Sequence, residues 1–198
     1  MDDAAAMQWV IASGNAKKRQ EIAAILAPLG IALVASEETH YVDVVEDADS
    51  FAGNAQKKAE AFAKVNGFPA LADDSGLCVD VLNGAPGVYS ARFAGESASD
   101  VENNAKLLQM MAGKSDRAAH FCCALHVAFP DGRNALCSEG RVDGEILAAP
   151  AGHSGFGYDP LFFSPELNKP FALATPEEKA SVSHRGRALR ALAQQLNN

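Results

Sequence analysis

The alternation of apolar and polar positions divides the chain into short strands and amphipathic helices. Runs typical of strands occur at 9–12, 31–35, 41–45, 69–72, 77–82, 121–129 and 135–142. Apolar positions at helical spacing occur at 22–29, 51–65, 101–111 and 189–196. Strands interleaved with helices, plus one hairpin that turns at 130–133, predict an α/β fold with a mixed central sheet flanked by helices.

Capping residues predict several helix ends. Ser50 precedes one helix, and Ser99 or Asp100 precedes another. Thr175–Glu178 has the form of a capping box with proline at the first helical position. The segment 183–186 is expected to interrupt that helix before the last one begins.

Size and charge limit the classes of protein. A chain of 198 residues with 48% hydrophobic residues fits one domain, with at most a modest second lobe. The net charge of −8 disfavours nonspecific nucleic-acid binding. The opening residues 1–6 lack the basic and apolar segments of a signal peptide, and no apolar run could span a bilayer. We therefore expect a soluble, cytoplasmic protein that binds neither nucleic acid nor membrane.

The cysteines show no Cys-x-x-Cys spacing, which argues against a disulfide framework and against a zinc site. The interpretation is that they are small buried residues. His120 and His126 are interpreted as ordinary sheet residues. The four cysteines are Cys78, Cys122, Cys123 and Cys137.

The segment Leu71–Gly76 carries two adjacent carboxylates, Asp73 and Asp74, where an apolar run stops. This pattern predicts a strand end, with Gly76 allowing a sharp turn or close approach of a ligand. Two neighbouring carboxylates repel each other, so a divalent metal would let both stay ionised. An Asx-type turn without chemistry is the alternative.

Two further segments suit an anionic, flat ligand. Ser13–Asn15 links a strand to a helix N-terminus beside Lys17–Arg19, which favours a phosphate site, although a solvated basic turn remains open. The loop 152–160 holds three glycines with Phe156 and Tyr158, either of which could stack on a base. Aromatic rings that cap the core are the alternative for this loop.

Together with the group Lys179, His184 and Arg185, these features indicate a nucleoside triphosphate bound with Mg²⁺. Over nearly its whole length the sequence resembles the inosine triphosphate pyrophosphatase family, which acts on non-canonical purine nucleotides. The six motifs that carry the resemblance, in the family's order, are Ser13–Glu21, Phe51–Ala59, Ala72–Leu77, Gly84–Arg92, Gly155–Pro160 and Glu178–Gly186.

The resemblance implies hydrolysis of ITP, dITP or XTP to the monophosphate and pyrophosphate, with Mg²⁺ as cofactor. It further implies a homodimer whose elongated, two-lobed subunit holds the nucleotide in a central cleft. Two alternatives remain: a nucleotide-binding module without catalysis, and a phosphatase that releases orthophosphate. The first is suggested by Gly53 and Ala48, which stand where the family commonly has Glu and Gly.

Roles for individual residues follow from the same resemblance. Asp74 is implied as the catalytic acid–base residue and a metal ligand, with Glu46 as the acidic partner at the metal. Contacts to phosphates and sugar are implied at Ser13, Gly14, Asn15, Lys18, Lys58, Ser75 and Lys179. Contacts that enclose the purine are implied at Phe156, Gly157, Tyr158, Asp159, His184 and Arg185. His184, Arg185 or loop N–H groups could bond the 6-keto oxygen and so reject adenine.

Overall fold

The computed structural model describes residues 8–196. Seven strands form one sheet in the order β2-β1-β3-β4-β5-β6-β7. The strands are β1 Gln8–Ile11, β2 Ala32–Leu33, β3 Ala70–Val79, β4 Ala118–Ala128, β5 Leu136–Ile146, β6 Phe162–Ser164 and β7 Lys169–Pro170. β1 runs parallel to β2 and β3, whereas β6 runs antiparallel to β5 and β7. The predicted α/β fold with a mixed sheet is confirmed.

Five α-helices accompany the sheet among the described residues. They are α1 Ala16–Leu26, α2 Phe51–Asn66, α3 Asp100–Met110, α4 Pro176–Val182 and α5 His184–Leu196. The caps at Ser50 and Ser99 and the capping box of Thr175 with Glu178 are confirmed. The predicted interruption before the last helix is narrower than expected, since Ser183 alone separates α4 from α5.

The chain forms two compact units. Among the described residues, unit 1 comprises residues 8–74, 124–139 and 188–196, and unit 2 comprises residues 75–123 and 140–187. The core of unit 1 packs the alanine-rich face of α2, with Phe62, against Val10 and Ala12. The core of unit 2 is more aromatic and contains Phe121, Phe162 and Phe171.

Two expectations about secondary structure are wrong. The run 31–35 contributes only the two-residue β2, and Tyr41–Val45 is not a strand. The ends of this segment are held by α2 side chains instead of a neighbouring strand: Asn66 bonds the backbone of His40, and Asn54 Oδ1 accepts from the Ala48 N–H. The alternation at 41–45 therefore reflects side-chain packing, with Val42 against the core of unit 1.

Three smaller points complete the description. Val65, which the helical pattern placed on the buried face of α2, is 52% exposed, whereas Ala63 is buried there. None of the helices in residues 8–196 is long and apolar enough to cross a membrane. The interpretation of residues 1–6 as no signal peptide lies outside the described residues.

Candidate active site

Asp73 and Asp74 lie in the middle of β3 and not at a strand end. The strand continues without a break through Gly76 to Val79, so the predicted strand end is wrong, and of the two roles expected for Gly76 the sharp turn is excluded. Successive side chains of a strand point to opposite faces, so these two carboxylates do not have to share one space. Both residues are nevertheless buried, Asp73 to 1% and Asp74 to 7% exposure. Each therefore needs its own compensating partners.

Two lysines of unit 1 supply that compensation. Lys18 Nζ lies 2.7 Å from Asp73 Oδ1. Lys58 Nζ lies 2.8 Å from Glu46 Oε2 and 3.7 Å from Asp74 Oδ1, and it also donates to the Asp73 carbonyl. The positive charge that the sequence assigned to a metal is thus provided here by side chains.

Asp74 lies near the Lys58 ammonium and also contacts a side-chain amide. Its Oδ2 accepts a hydrogen bond of 3.1 Å from Asn54 Nδ2. Burial raises the pKa of Asp74 above its ordinary value, and nearby Glu46 raises it further, while Lys58, Lys18 and the Asn54 bond lower it in part. A buried carboxylate with a raised pKa suits a proton acceptor that must work near neutral pH.

Asn54 is a residue whose role the sequence analysis missed. It was part of a quoted motif but received no function. In the structure its amide bridges Asp74 and the Ala48 N–H, so it ties α2 to the residues beside Glu46. The signal for this role in the sequence is an asparagine near the start of a helix, 20 residues before Asp74. The structure shows that this asparagine is buried.

The two departures at Gly53 and Ala48 compensate each other. A Cβ atom on Gly53 would lie 2.8 Å from the Ala48 Cβ and 3.1 Å from Ser50 Oγ. A side chain at residue 53 therefore conflicts with the methyl group of Ala48, and glycine relieves the conflict. Because the Ala48–Asn54–Asp74 bonds remain in place, the changes do not disturb the groups around Asp74.

The turn Ser13–Asn15 is closed by its own side chains. Asn15 Oδ1 caps α1 by accepting from the N–H groups of Lys17 and Lys18, and Ser13 Oγ accepts from the Asn15 N–H. These N–H groups were expected to point at an anion, but here they have internal partners. A phosphate at this turn would rely on side chains or displace the Asn15 cap.

In unit 2, a buried ion pair holds the glycine-rich loop. Asp159 Oδ2 accepts from Lys179 Nζ at 2.7 Å and from the Phe156 N–H at 2.8 Å. Gly155 has φ +78°, and a Cβ there would lie 2.1 Å from the same carboxylate oxygen. Glycine is therefore required at residue 155 both for its backbone conformation and for the space occupied by Asp159.

The first turn of α3 fixes the other side of this loop. Asp100 Oδ2 accepts from the Gly157 N–H at 2.7 Å, and Asn104 Nδ2 donates to the Gly157 carbonyl at 2.8 Å. From the sequence, Asp100 is expected only to cap a helix and Asn104 has no expected role, because the two lie 57 and 53 residues from Gly157.

The two aromatic residues of the loop have different surroundings. Tyr158 is 3% exposed, belongs to the core of unit 2 and donates its hydroxyl to the Ser90 carbonyl at 2.9 Å. Its ring therefore caps the core, as the alternative reading of the loop allowed. Phe156 is only partly buried and has Lys179 Nζ 4.7 Å from its ring centroid. Phe156 is thus the more exposed of the two rings.

The basic group at the start of α5 lies beside Phe156. Arg185 is 1% exposed, its Nη2 donates to Ser75 Oγ at 3.0 Å, and its guanidinium carbon lies 5.7 Å from the Phe156 centroid. His184 is buried and stacks on Phe121, with ring centroids 4.8 Å apart. The structure therefore brings Ser75, Phe156, Lys179 and Arg185 together within unit 2.

The protein has an α/β fold with an open mixed sheet. Buried carboxylates lie on the inner strand β3, and their lysine partners lie on the elements packed beside it. The Ham1 family model matches residues 9–195. The chain belongs to the Ham1 family.

Individual relatives agree with that assignment. A dITP/XTP pyrophosphatase of Desulfotalea psychrophila is 51% identical over 181 residues, covering 91% of this chain and 81% of the relative. A dITP/XTP pyrophosphatase of Desulforamulus reducens is 48% identical over 194 residues, covering 96% of each chain. The solved structure of a HAM1 protein from Coxiella burnetii matches with a TM-score of 0.87 at 40% identity, covering 96% of this chain and 98% of that one.

Proposed function

We propose that this protein hydrolyses non-canonical purine nucleoside triphosphates, namely dITP, XTP and ITP, to the monophosphate and pyrophosphate. The observation that carries the proposal is the buried Asp74, with its raised pKa, beside Glu46 and two lysines. Membership of the Ham1 family and the names of the relatives support the same reaction.

In this reaction Asp74 acts as the base. A water attacks the α-phosphorus, the bond between the α-phosphorus and its bridging oxygen breaks, and pyrophosphate leaves. Asn54 holds Oδ2, so we assign the proton of the attacking water to Oδ1. Burial keeps Asp74 basic enough for this task.

Asp74 and Glu46 would hold Mg²⁺. The donor set fits, because both groups are carboxylates and Mg²⁺ prefers oxygen ligands. The Lys58 ammonium already bridges the two side chains, which supports a cation at this position. When bound, Mg²⁺ would neutralise charge on the departing pyrophosphate.

Lys18 and Lys58 would contact the phosphates. Both are mostly buried against carboxylates, with side-chain exposures of 16% and 12%. Such pairs can exchange partners when a polyphosphate brings stronger negative charge. We assign further phosphate and sugar contacts to Ser13, Gly14, Asn15 and Ser75.

We assign the contacts with the purine to residues of unit 2. Phe156 would stack on the base, and the loop Gly157–Asp159 would enclose it from a backbone fixed by Asp100 and Asn104. Arg185 and His184 would donate to the 6-keto oxygen, which adenine lacks. Because Lys179 is bound to Asp159 and lies over Phe156, we place it at this end of the substrate.

The remaining expectations belong to the same proposal. The active form would be a homodimer in the cytoplasm. It would have no nucleic-acid partners, because the net charge of −8 disfavours binding to a phosphate backbone. The alternative of an inactive binding module is not favoured, because Gly53 and Ala48 compensate each other and leave the partners of Asp74 in place.

The test is a substrate panel with product identification. Purified protein with Mg²⁺ is given ITP, dITP, XTP, ATP and GTP, and pyrophosphate and orthophosphate are measured separately. We expect pyrophosphate from the first three, much faster than from ATP or GTP. Orthophosphate as the product, or binding of ITP without turnover, would contradict the proposal.

A further inference from the structure

A second cluster of chemically reactive side chains lies in unit 2, and none of its members is a residue assigned to the nucleotide. Cys78 is on β3, and His120 and Cys122 are on the neighbouring strand β4. His120 and Cys122 are two residues apart, so they project from the same face of β4. One ligand atom from each of the three residues lies within 4.8 Å of the other two.

The surroundings suit a bound cation. His120 Nδ1 is buried and makes no hydrogen bond to any described residue. The nearest carboxylate belongs to Asp80, whose Oδ1 is 3.4 Å from that nitrogen and whose side chain is 52% exposed. The thiols of Cys78 and Cys122 are hydrogen-bonded to each other and are not joined in a disulfide. All three ligand residues are partly exposed, so an ion can enter from solvent.

We propose that Cys78, His120 and Cys122 bind a thiophilic divalent cation of the Zn²⁺ class, with Asp80 as the fourth group. Two thiolates and an imidazole are the donor set that zinc takes from proteins. Zinc bonds of about 2.0–2.3 Å in a tetrahedron place ligand atoms about 3.3–3.8 Å apart. The observed cluster therefore has to contract by about 1.5 Å at most, which side-chain rotation can supply.

The proposed site differs from the interpretation of the cysteines and of His120 from the sequence. Spacing within the chain hid it, because Cys78 lies more than 40 residues from its partners. Only Cys123 is a small buried residue as expected, whereas Cys137 is exposed. Mg²⁺ prefers oxygen ligands, so the thiol site and the nucleotide site would select different metals.

The test is a titration of the fully reduced, chelator-treated full-length protein with Co²⁺, followed by Zn²⁺. We expect one equivalent of Co²⁺ to give thiolate-to-metal charge-transfer absorption and the strong visible bands of a tetrahedral site, and Zn²⁺ to remove both. Cys78→Ser, Cys122→Ser and His120→Gln should each weaken binding at least about ten-fold. Asp80→Asn should weaken it by about 10- to 100-fold.

Cys137→Ser is the matched control, because Cys137 Sγ lies 3.3 Å from His126 Nδ1 and forms the other Cys–His pair. It should leave the absorption unchanged. Melting curves without metal show whether each variant is folded, and hydrolysis of ITP by Cys122→Ser with Mg²⁺ should match the parent. Absent charge-transfer bands in the parent, or their loss in Cys137→Ser alone, would overturn the proposal, whatever the outcome of the substrate panel.

Discussion

Asp74 of unit 1 and Asp159 of unit 2 are both buried carboxylates, but their partners differ. Asp159 has an ammonium at 2.7 Å and a backbone N–H on the same oxygen. Asp74 has an amide at 3.1 Å and an ammonium only at 3.7 Å, and its pKa is raised by burial.

We propose that this difference separates a group suited to proton transfer, Asp74, from a group that holds a binding loop, Asp159. A carboxylate such as Asp159, which accepts from an ammonium and a backbone N–H on one oxygen, is held firmly in position. A buried carboxylate with a raised pKa, such as Asp74, is suited to accept a proton. On the proposed function, Asp74 would therefore take part in the reaction, and Asp159 would hold the loop that binds the base.

The largest expected effect is on turnover in Asp74→Asn. Removal of the base should lower kcat for ITP by about 10²- to 10⁴-fold. The folded protein should not suffer: because burial raises the pKa of Asp74, its ionised form destabilises the fold at neutral pH, and the neutral amide removes that cost.

The melting temperature of Asp74→Asn should therefore equal or exceed that of the parent. Asp131→Asn, at an exposed turn of the same unit, is the control and should change neither quantity. A variant that melts earlier and turns over normally would assign Asp74 to structure alone.

Phe156→Ala tests the proposed stacking of Phe156 on the base. Loss of stacking on one base costs about 1–3 kcal/mol, so KM for ITP should rise about 5- to 150-fold while kcat changes little. Phe156→Trp keeps a stacking surface and should restore most of the affinity. Steady-state kinetics decide the point, and a fall in kcat without a change in KM would remove Phe156 from the binding face.

The pH dependence of hydrolysis should show a smaller effect, and it distinguishes the role of Asp74 from that of Asp159. Asp74 must be ionised to act, so activity should fall as the pH drops through its pKa, which lies above the ordinary value of 3.8. Rising Mg²⁺ favours the ionised form and should move this acidic limb to lower pH. An acidic limb that disappears only in a variant of Asp159 would reverse the roles given to the two carboxylates.

The smallest effect concerns the compensation between Gly53 and Ala48. Alanine normally stabilises a helix by about 1 kcal/mol relative to glycine. Gly53→Ala should lose that gain, because the new Cβ would lie 2.8 Å from the Ala48 Cβ, and should recover it in the Ala48→Gly background. Denaturant unfolding of the four proteins in this cycle should give a coupling of about 0.5–3 kcal/mol, and additive effects would refute the compensation.

Much of the fold could be predicted from the sequence, because helix caps and apolar periodicity are local signals. Ser50, Ser99 and Thr175 cap helices as expected. The strand end expected at Asp73 and Asp74 is wrong, because two charged residues interrupt the apolar pattern although the strand itself continues through them. The Tyr41–Val45 run was misjudged because alternation alone does not reveal whether a neighbouring strand is present to pair with it.

The candidate site was predicted as a set of residues but not as a set of contacts. Motifs named Asp74, Lys58 and Phe156, yet the bonds of Lys179 to Asp159 and of Asn104 to Gly157 join residues 20 and 53 positions apart. Such pairings depend on how distant elements pack. The Cys78, His120 and Cys122 cluster was missed for the same reason.

Nucleotide binding by Asp74→Asn tests most directly whether Asp74 serves hydrolysis while other residues recognise the base. This variant should still bind the nucleotide after hydrolysis has been abolished. Calorimetry with Mg²⁺ should show ITP bound within a few-fold of its affinity for the parent under non-hydrolysing conditions, and ATP bound at least about ten-fold more weakly than ITP. Loss of ITP binding together with turnover, or equal affinity for ITP and ATP, would contradict the account.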